Sequence, residues 1–144
     1  MTRITEVIRN RADTTIQLGP KLAPAASPRD HATMVERSAA LPPGQDERFA
    51  GYGVMGLPFG SGHYLALRRF AASSLGPAYS AVWWRDAAGR WAFFADTPAR
   101  LSCARYFGPV LERAERCEIG LAWRGPRSLS VSIPGILEWQ VELG

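Results

Sequence analysis

The chain reads as an all-β protein, an antiparallel sandwich or partial barrel with one short helix. Two observations carry this reading. From Cys117 to Leu143 three runs alternate apolar and polar residues with a period of two, the pattern of strands with one buried face. Before them, Tyr79 to Arg85 and Arg90 to Ala95 form an aromatic-rich pair around Asp86-Ala87-Ala88-Gly89, a tetrapeptide suited to a type I turn.

Residues 1–48 are punctuated by Pro20, Pro24, Pro28, Pro42 and Pro43 and are poor in large apolar side chains. Such a stretch buries too little surface to offset its ordering entropy, so a mostly disordered arm is expected, with Thr14 to Leu18 as at best a short extended piece. The folded β domain is expected over 49–144, and a natural start at Met34 would leave it whole.

Gly51 to Gly60 is apolar but interrupted by glycine, which suggests an irregular or edge strand with close backbone approach. Gly62 to Phe70 follows as a strand, and Ala71 to Pro77 as a loop. After the hairpin, Thr97-Pro98 reads as a cap and first-turn proline opening a helix to about Phe107, which Gly108-Pro109 stops. Val110 to Arg116 reads as a further helical turn or a loop. In the closing meander, Gly125-Pro126-Arg127 and Pro134-Gly135-Ile136 are turns. Read as three-residue loops, they set Leu121 opposite Val131 opposite Trp139. A slip of one residue would set Val131 against Glu138, which a buried face forbids.

Composition narrows the function classes. The chain has 144 residues, enough for one ordinary domain, with a hydrophobic fraction of 47% and a formal charge of +4. All of the basic residues but Lys21 are arginine, as a GC-rich coding sequence produces, and Arg68-Arg69 is their only adjacent pair. Charge scattered in this way argues against a nucleic-acid partner. No run approaches the roughly 18 apolar residues of a membrane span, and the N-terminus has no apolar core of the signal-peptide type. A reduced, cytoplasmic setting is therefore expected, with Cys117 on the apolar face of its strand.

The hairpin is the best functional hint. If Trp83 pairs with Phe93, then Ala81, Trp83 and Arg85 share a face with Trp91, Phe93 and Ala95, while Val82, Trp84, Ala92 and Phe94 share the other. Both faces are aromatic and one suffices to make a core, so the second needs a cover: the Thr97–Phe107 helix and the N-terminal arm, a partner subunit, or a lipophilic ligand. Asp96 ends the hairpin beside apolar neighbours, where a carboxylate becomes an acid or base, although capping the following helix is the more ordinary role. His31 and His63 are the only histidines, so neither a metal site nor a Ser-His-Asp set is expected. Cys103 falls mid-helix, away from an activating base, and Tyr106-Phe107 are expected to seal the bottom of the core. No phosphate loop or dinucleotide fingerprint follows the Gly-x-Gly pairs, and no cofactor is expected.

Gly51-Tyr-Gly-Val-Met-Gly-Leu-Pro-Phe, Ser61-Gly-His, Leu65-Ala-Leu-Arg-Arg-Phe, Trp91 to Asp96, Arg105-Tyr-Phe-Gly and Ile133-Pro-Gly resemble a family of uncharacterised actinobacterial proteins, over Gly51 to Leu143. That family is in turn distantly similar to the lipocalin-like β proteins that include hydroxyneurosporene synthase, which adds water to a carotenoid. The resemblance implies a lipocalin-like fold of two β halves, of which this chain represents the first. No hydratase acid matches residue by residue, so Asp96 stands on position alone.

Three expectations follow. The first is a domain binding an apolar small molecule, a lipid or isoprenoid, through Trp83, Arg85, Trp91 and Phe93. The second is a hydratase-like enzyme using Asp96. The third is a β module whose aromatic face and open edges drive homo-oligomerisation.

Overall fold

The computed structural model describes Val7–Ile8 and residues 25–144. The chain is all-β, with nine strands among the described residues in two separate sheets that do not close into a barrel. It divides into two compact units, residues 34–119 and residues 1–33 with 120–144. No helix among the described residues is long and apolar enough to cross a membrane.

Within the arm expected to be mostly disordered, one described segment is regular. Pro28–Ser38 form a helix, α1. Ser27 Oγ accepts from the Asp30 N–H at 3.1 Å, and the Asp30 carboxylate accepts from the Ser27 N–H at 2.9 Å. This is a reciprocal capping box with proline at the first helical position, so Pro28 starts a helix rather than preventing one. The expected extended piece at Thr14 to Leu18 lies outside the described residues.

The unit of residues 34–119 is a five-stranded sheet whose spatial order follows the chain: β2 (Phe49–Pro58), β3 (Tyr64–Ser73), β4 (Tyr79–Arg85), β5 (Trp91–Ala95) and β6 (Leu111–Arg116), β1 being the short Val7–Ile8 strand. β2 pairs antiparallel with β3 through two irregularities, between Ala50 and Gly51 and between Val54 and Leu57. At the second, Gly56 takes φ +116°, a conformation side chains disfavour. The β4–β5 hairpin has the expected register, Trp83 opposite Phe93. Its turn is built as Asp86 and Gly89 predict: Gly89 has φ +84°, and Asp86 Oδ1 accepts from the Ala88 and Arg90 N–H groups.

Two expectations fail beyond β5. The helix foreseen from Thr97 to Phe107 is broken into a 3-10 turn (Ala99–Leu101), one α-helical turn, α2 (Ala104–Phe107), and a second 3-10 turn (Gly108–Val110). Ser102 interrupts it in extended conformation, its buried hydroxyl donating to the Ala99 carbonyl and accepting from the Ala104 N–H. Residues 111–116 then form a strand, not a helical turn or loop, and β6 runs parallel to β5. A crossover through a helical linker returns the chain to the end where β5 began, so the next strand must be parallel and the sheet is not purely antiparallel. Leu-Glu-Arg-Ala-Glu-Arg has neither strand period nor strand propensity; its pairing partner decides its state.

In the other unit, β7 (Gly120–Trp123), β8 (Ser128–Ile133) and β9 (Leu137–Glu142) form the expected meander, with Leu121 opposite Val131 opposite Trp139. Leu129, Val131, Ile133, Leu137, Trp139 and Val141 are buried. β9 is not an edge, because β1 pairs with it in parallel. Cys117 falls outside β7 and belongs to the unit of residues 34–119. Its N–H donates to the Ala95 carbonyl at the end of the five-stranded sheet, and burial raises its thiol pKa.

Candidate functional site

Alternation along β3, β4 and β5 divides the five-stranded sheet into two faces. Leu65, Leu67, Val82 and Phe94 lie on one and are fully buried. Trp84 shares that face, with its ring 5.8 Å from His63 and its Nε1 buried without an acceptor among the described residues. The opposite face carries Tyr64, Ala66, Arg68 and Phe70 beside Tyr79, Ala81, Trp83 and Arg85, with Trp91, Phe93 and Ala95 beyond.

The helical linker covers one end of this second face. Tyr79, Ala81, Phe93, Ala95 and Ala104 make a buried cluster, with Phe49, Phe70, Trp83, Cys103 and Leu111 packed around it. Tyr79 anchors the linker: its hydroxyl accepts from the Cys103 N–H at 3.1 Å, and burial pushes the phenol pKa well above its ordinary value. The linker stops short of the other end, and a cleft of about 490 Å³ remains there. Small-molecule sites span about 300–1,000 Å³.

Tyr64, Ala66, Arg68, Trp83 and Trp91 line the cleft from the sheet, Met55 from β2, and Cys103, Phe107 and Val110 from the linker. Its aromatic wall is built edge to face: Trp83 meets Trp91 at 6.2 Å and Phe107 at 5.4 Å, and Trp91 meets Tyr64 at 5.7 Å. Ala66, directly opposite Trp83 in the ladder, keeps the floor low. The mouth is apolar, since Met55 is 79% exposed, Val110 62% and Phe107 48%. Tyr106 and Phe107 therefore do not seal the core as expected; both are half exposed.

Of the residues singled out in the sequence, Trp83 and Trp91 line the cleft. Phe93, opposite Trp83 in the ladder with ring centroids 4.8 Å apart, is buried in the cluster under the linker and packs against the wall from the side. Arg85 is exposed and turns toward the hairpin loop, where a Cβ added to Gly89 would lie 3.0 Å from its Nη2. It is not among the lining residues. Asp96 belongs to the row of Val82 and Phe94, on the face away from the cleft, and is exposed, not enclosed by apolar neighbours. Its carboxylate accepts from the Ser80 N–H at 2.7 Å. Nor does it cap a helix, for the 3-10 turn begins after Pro98 with no side-chain cap.

The residue that sequence reasoning missed is Arg68. Its Nη1 donates to the carbonyl oxygens of Val54 at 3.0 Å and Leu67 at 2.8 Å, and among the described residues it is the one charged residue lining the cleft. The available signal was its phase: Arg68 lies two and four residues from Ala66 and Tyr64, hence on the face that β4 completes with Trp83. Cys103 also reaches the cleft. Burial raises its thiol pKa against weaker opposing hydrogen bonds from Tyr79 and Trp83, so the thiol stays protonated at neutral pH and is not a poised nucleophile. Among the described residues no three His, Cys, Asp or Glu side chains gather into a group able to hold a metal ion. Comparison of the chain with protein-family models, with curated proteins and with solved structures finds no match in any of the three.

Proposed function

We propose that this protein binds an apolar small molecule, a lipid or isoprenoid, in the cleft between Trp83, Trp91 and the helical linker. One observation carries the reading: a concave aromatic wall opens to solvent through an apolar mouth at Met55, Phe107 and Val110. Exposed apolar surface of this kind gains free energy when covered, and concavity favours a small molecule over a flat partner. The second reading, self-association through the same apolar rim, draws on the exposure of Met55 and Val110. Hydration chemistry draws no support from Asp96, which is exposed on the other face, and among the described residues no carboxylate lines the cleft.

Titration with a long-chain alcohol or a terpene alcohol, followed by tryptophan emission, should give a saturable change that weakens in Trp83→Ala. Absence of saturable change with either ligand, in a protein that light scattering finds dimeric, would replace this reading with the interface.

A further inference from the structure

We infer that Arg68 makes the cleft selective for an apolar molecule ended by a carboxylate; this rests on the apolar-ligand reading and names the head group that reading leaves open. The guanidinium is positioned by the sheet itself. Arg68 pairs with Gly53 of β2 and Ala81 of β4, the smallest available neighbours. A Cβ on Gly53 would collide with the Leu67 carbonyl oxygen and also stand 3.2 Å from Arg68 Nη1 and 3.3 Å from Cδ, so glycine there leaves the room in which the arginine lies across β2. Both backbone bonds fall on Nη1 and hold the guanidinium plane in place.

Among the described residues the charge meets no carboxylate. Like Arg85 and Arg100, Arg68 forms no ion pair among the described residues, but those two are exposed whereas Arg68 is part-buried in the cleft. A part-buried cation with no anion is partly desolvated without return. Its Nε–Nη2 edge has no partner among the described residues, and that edge presents two parallel N–H donors. A carboxylate matches such a fork with both oxygens. One positive charge, with no second cation lining the cleft among the described residues, also matches a monoanion better than a phosphate ester. The head group would rest at Arg68 with the chain along Trp83 and Trp91 toward the mouth.

The experiment compares three forms of one linear chain, the sixteen-carbon acid, its alcohol and its methyl ester, and a terpenoid acid with its alcohol. Calorimetry on the full chain reads affinity. The parent should bind each acid about tenfold or more tighter than its neutral counterparts, the scale of a charge-assisted pair. Arg68→Met, which keeps the apolar stem, should erase that preference while the alcohols bind as before. Arg68→Lys should retain part of it and, as a second variant, keeps the test decisive if the methionine form folds poorly. Equal affinity of acid and alcohol in the parent, or an acid preference that survives Arg68→Met, overturns the inference and leaves the apolar-ligand reading standing. Failure of every compound to bind the parent overturns both. The linear and terpenoid arms differ only in which chain the aromatic wall prefers.

Discussion

The Cys103 backbone N–H donates to the Tyr79 hydroxyl at 3.1 Å, and that bond ties the linker roofing the cleft to the strand beneath it. Tyr79 itself is fully buried, 5.2 Å from Phe70 and 6.5 Å from Phe49. Tyr79→Phe preserves the ring packing and removes the acceptor, stranding the Cys103 N–H. The expected loss is about 1–3 kcal/mol in chemical denaturation. A loss below about 0.5 kcal/mol would mean that water replaces the phenol and that the linker is held by packing alone.

Gly53 should tolerate no side chain. A Cβ there collides with the Leu67 carbonyl oxygen as well as crowding Arg68. Gly53→Ala should cost roughly 1–3 kcal/mol and, where the protein still folds, weaken binding of acids more than of alcohols. Unchanged stability would show that β2 has room to move away from β3.

Glu36 links α1 to the five-stranded sheet. Arg69 Nε donates to its Oε1 at 2.8 Å, and the Tyr52 hydroxyl donates to the same oxygen at 3.1 Å. The Arg69 hydrogen bond is the main reason that the Glu36 pKa lies below its ordinary value. A carboxyl with a depressed folded-state pKa contributes stability above its unfolded pKa and loses it as the pH falls through the folded value. Glu36→Gln should therefore lower stability at pH 7 by about 0.5–1 kcal/mol, since the pair is partly exposed, and the gap to the parent should close on acidification below the ordinary glutamate range. A gap that does not narrow at all as the pH falls would assign the effect to packing.

The capping box makes α1 testable. Ser27→Ala removes the acceptor of the Asp30 N–H and should cost about 1 kcal/mol, read as a lower thermal midpoint with reduced helical circular dichroism. Removing residues 1–44, which deletes Glu36 along with the helix, should be more costly. An unchanged midpoint after that truncation would show that α1 contributes nothing to the fold.

Cys103 lies in the cleft with a raised thiol pKa, so iodoacetamide should modify it slowly at pH 7 and faster as the pH rises. A bound apolar molecule should protect it, with Cys103→Ser separating its signal from that of Cys117. Modification at the rate of a free thiol, unaffected by ligand, would place the residue outside the cleft.

Much of the strand architecture was legible in the sequence because period-two patterning and turn chemistry act within a few residues. Leu129, Val131 and Ile133 set against Leu137, Trp139 and Val141 admit one register, and Asp86 with Gly89 specifies the hairpin turn. The aromatic face of Trp83, Trp91 and Phe93 followed from the same alternation. α1 was legible too, through Ser27, Pro28 and Asp30, but the surrounding prolines obscured a signal carried by three residues.

Tertiary structure decided what depends on residues distant in the chain. Leu111 to Arg116 has helical composition and becomes a strand because β5 offers it a ladder. The division of one aromatic face into a sealed core and an open cleft depends on where the linker, broken at Ser102, crosses the sheet. Arg85 and Arg68 share that face by alternation, yet Arg85 turns to Gly89 while Arg68 turns into the cleft across Gly53. Alternation assigns a side chain to a face. Its direction on that face is set by which neighbouring strand leaves room for it, and only the assembled sheet brings Gly53 and Arg68 together.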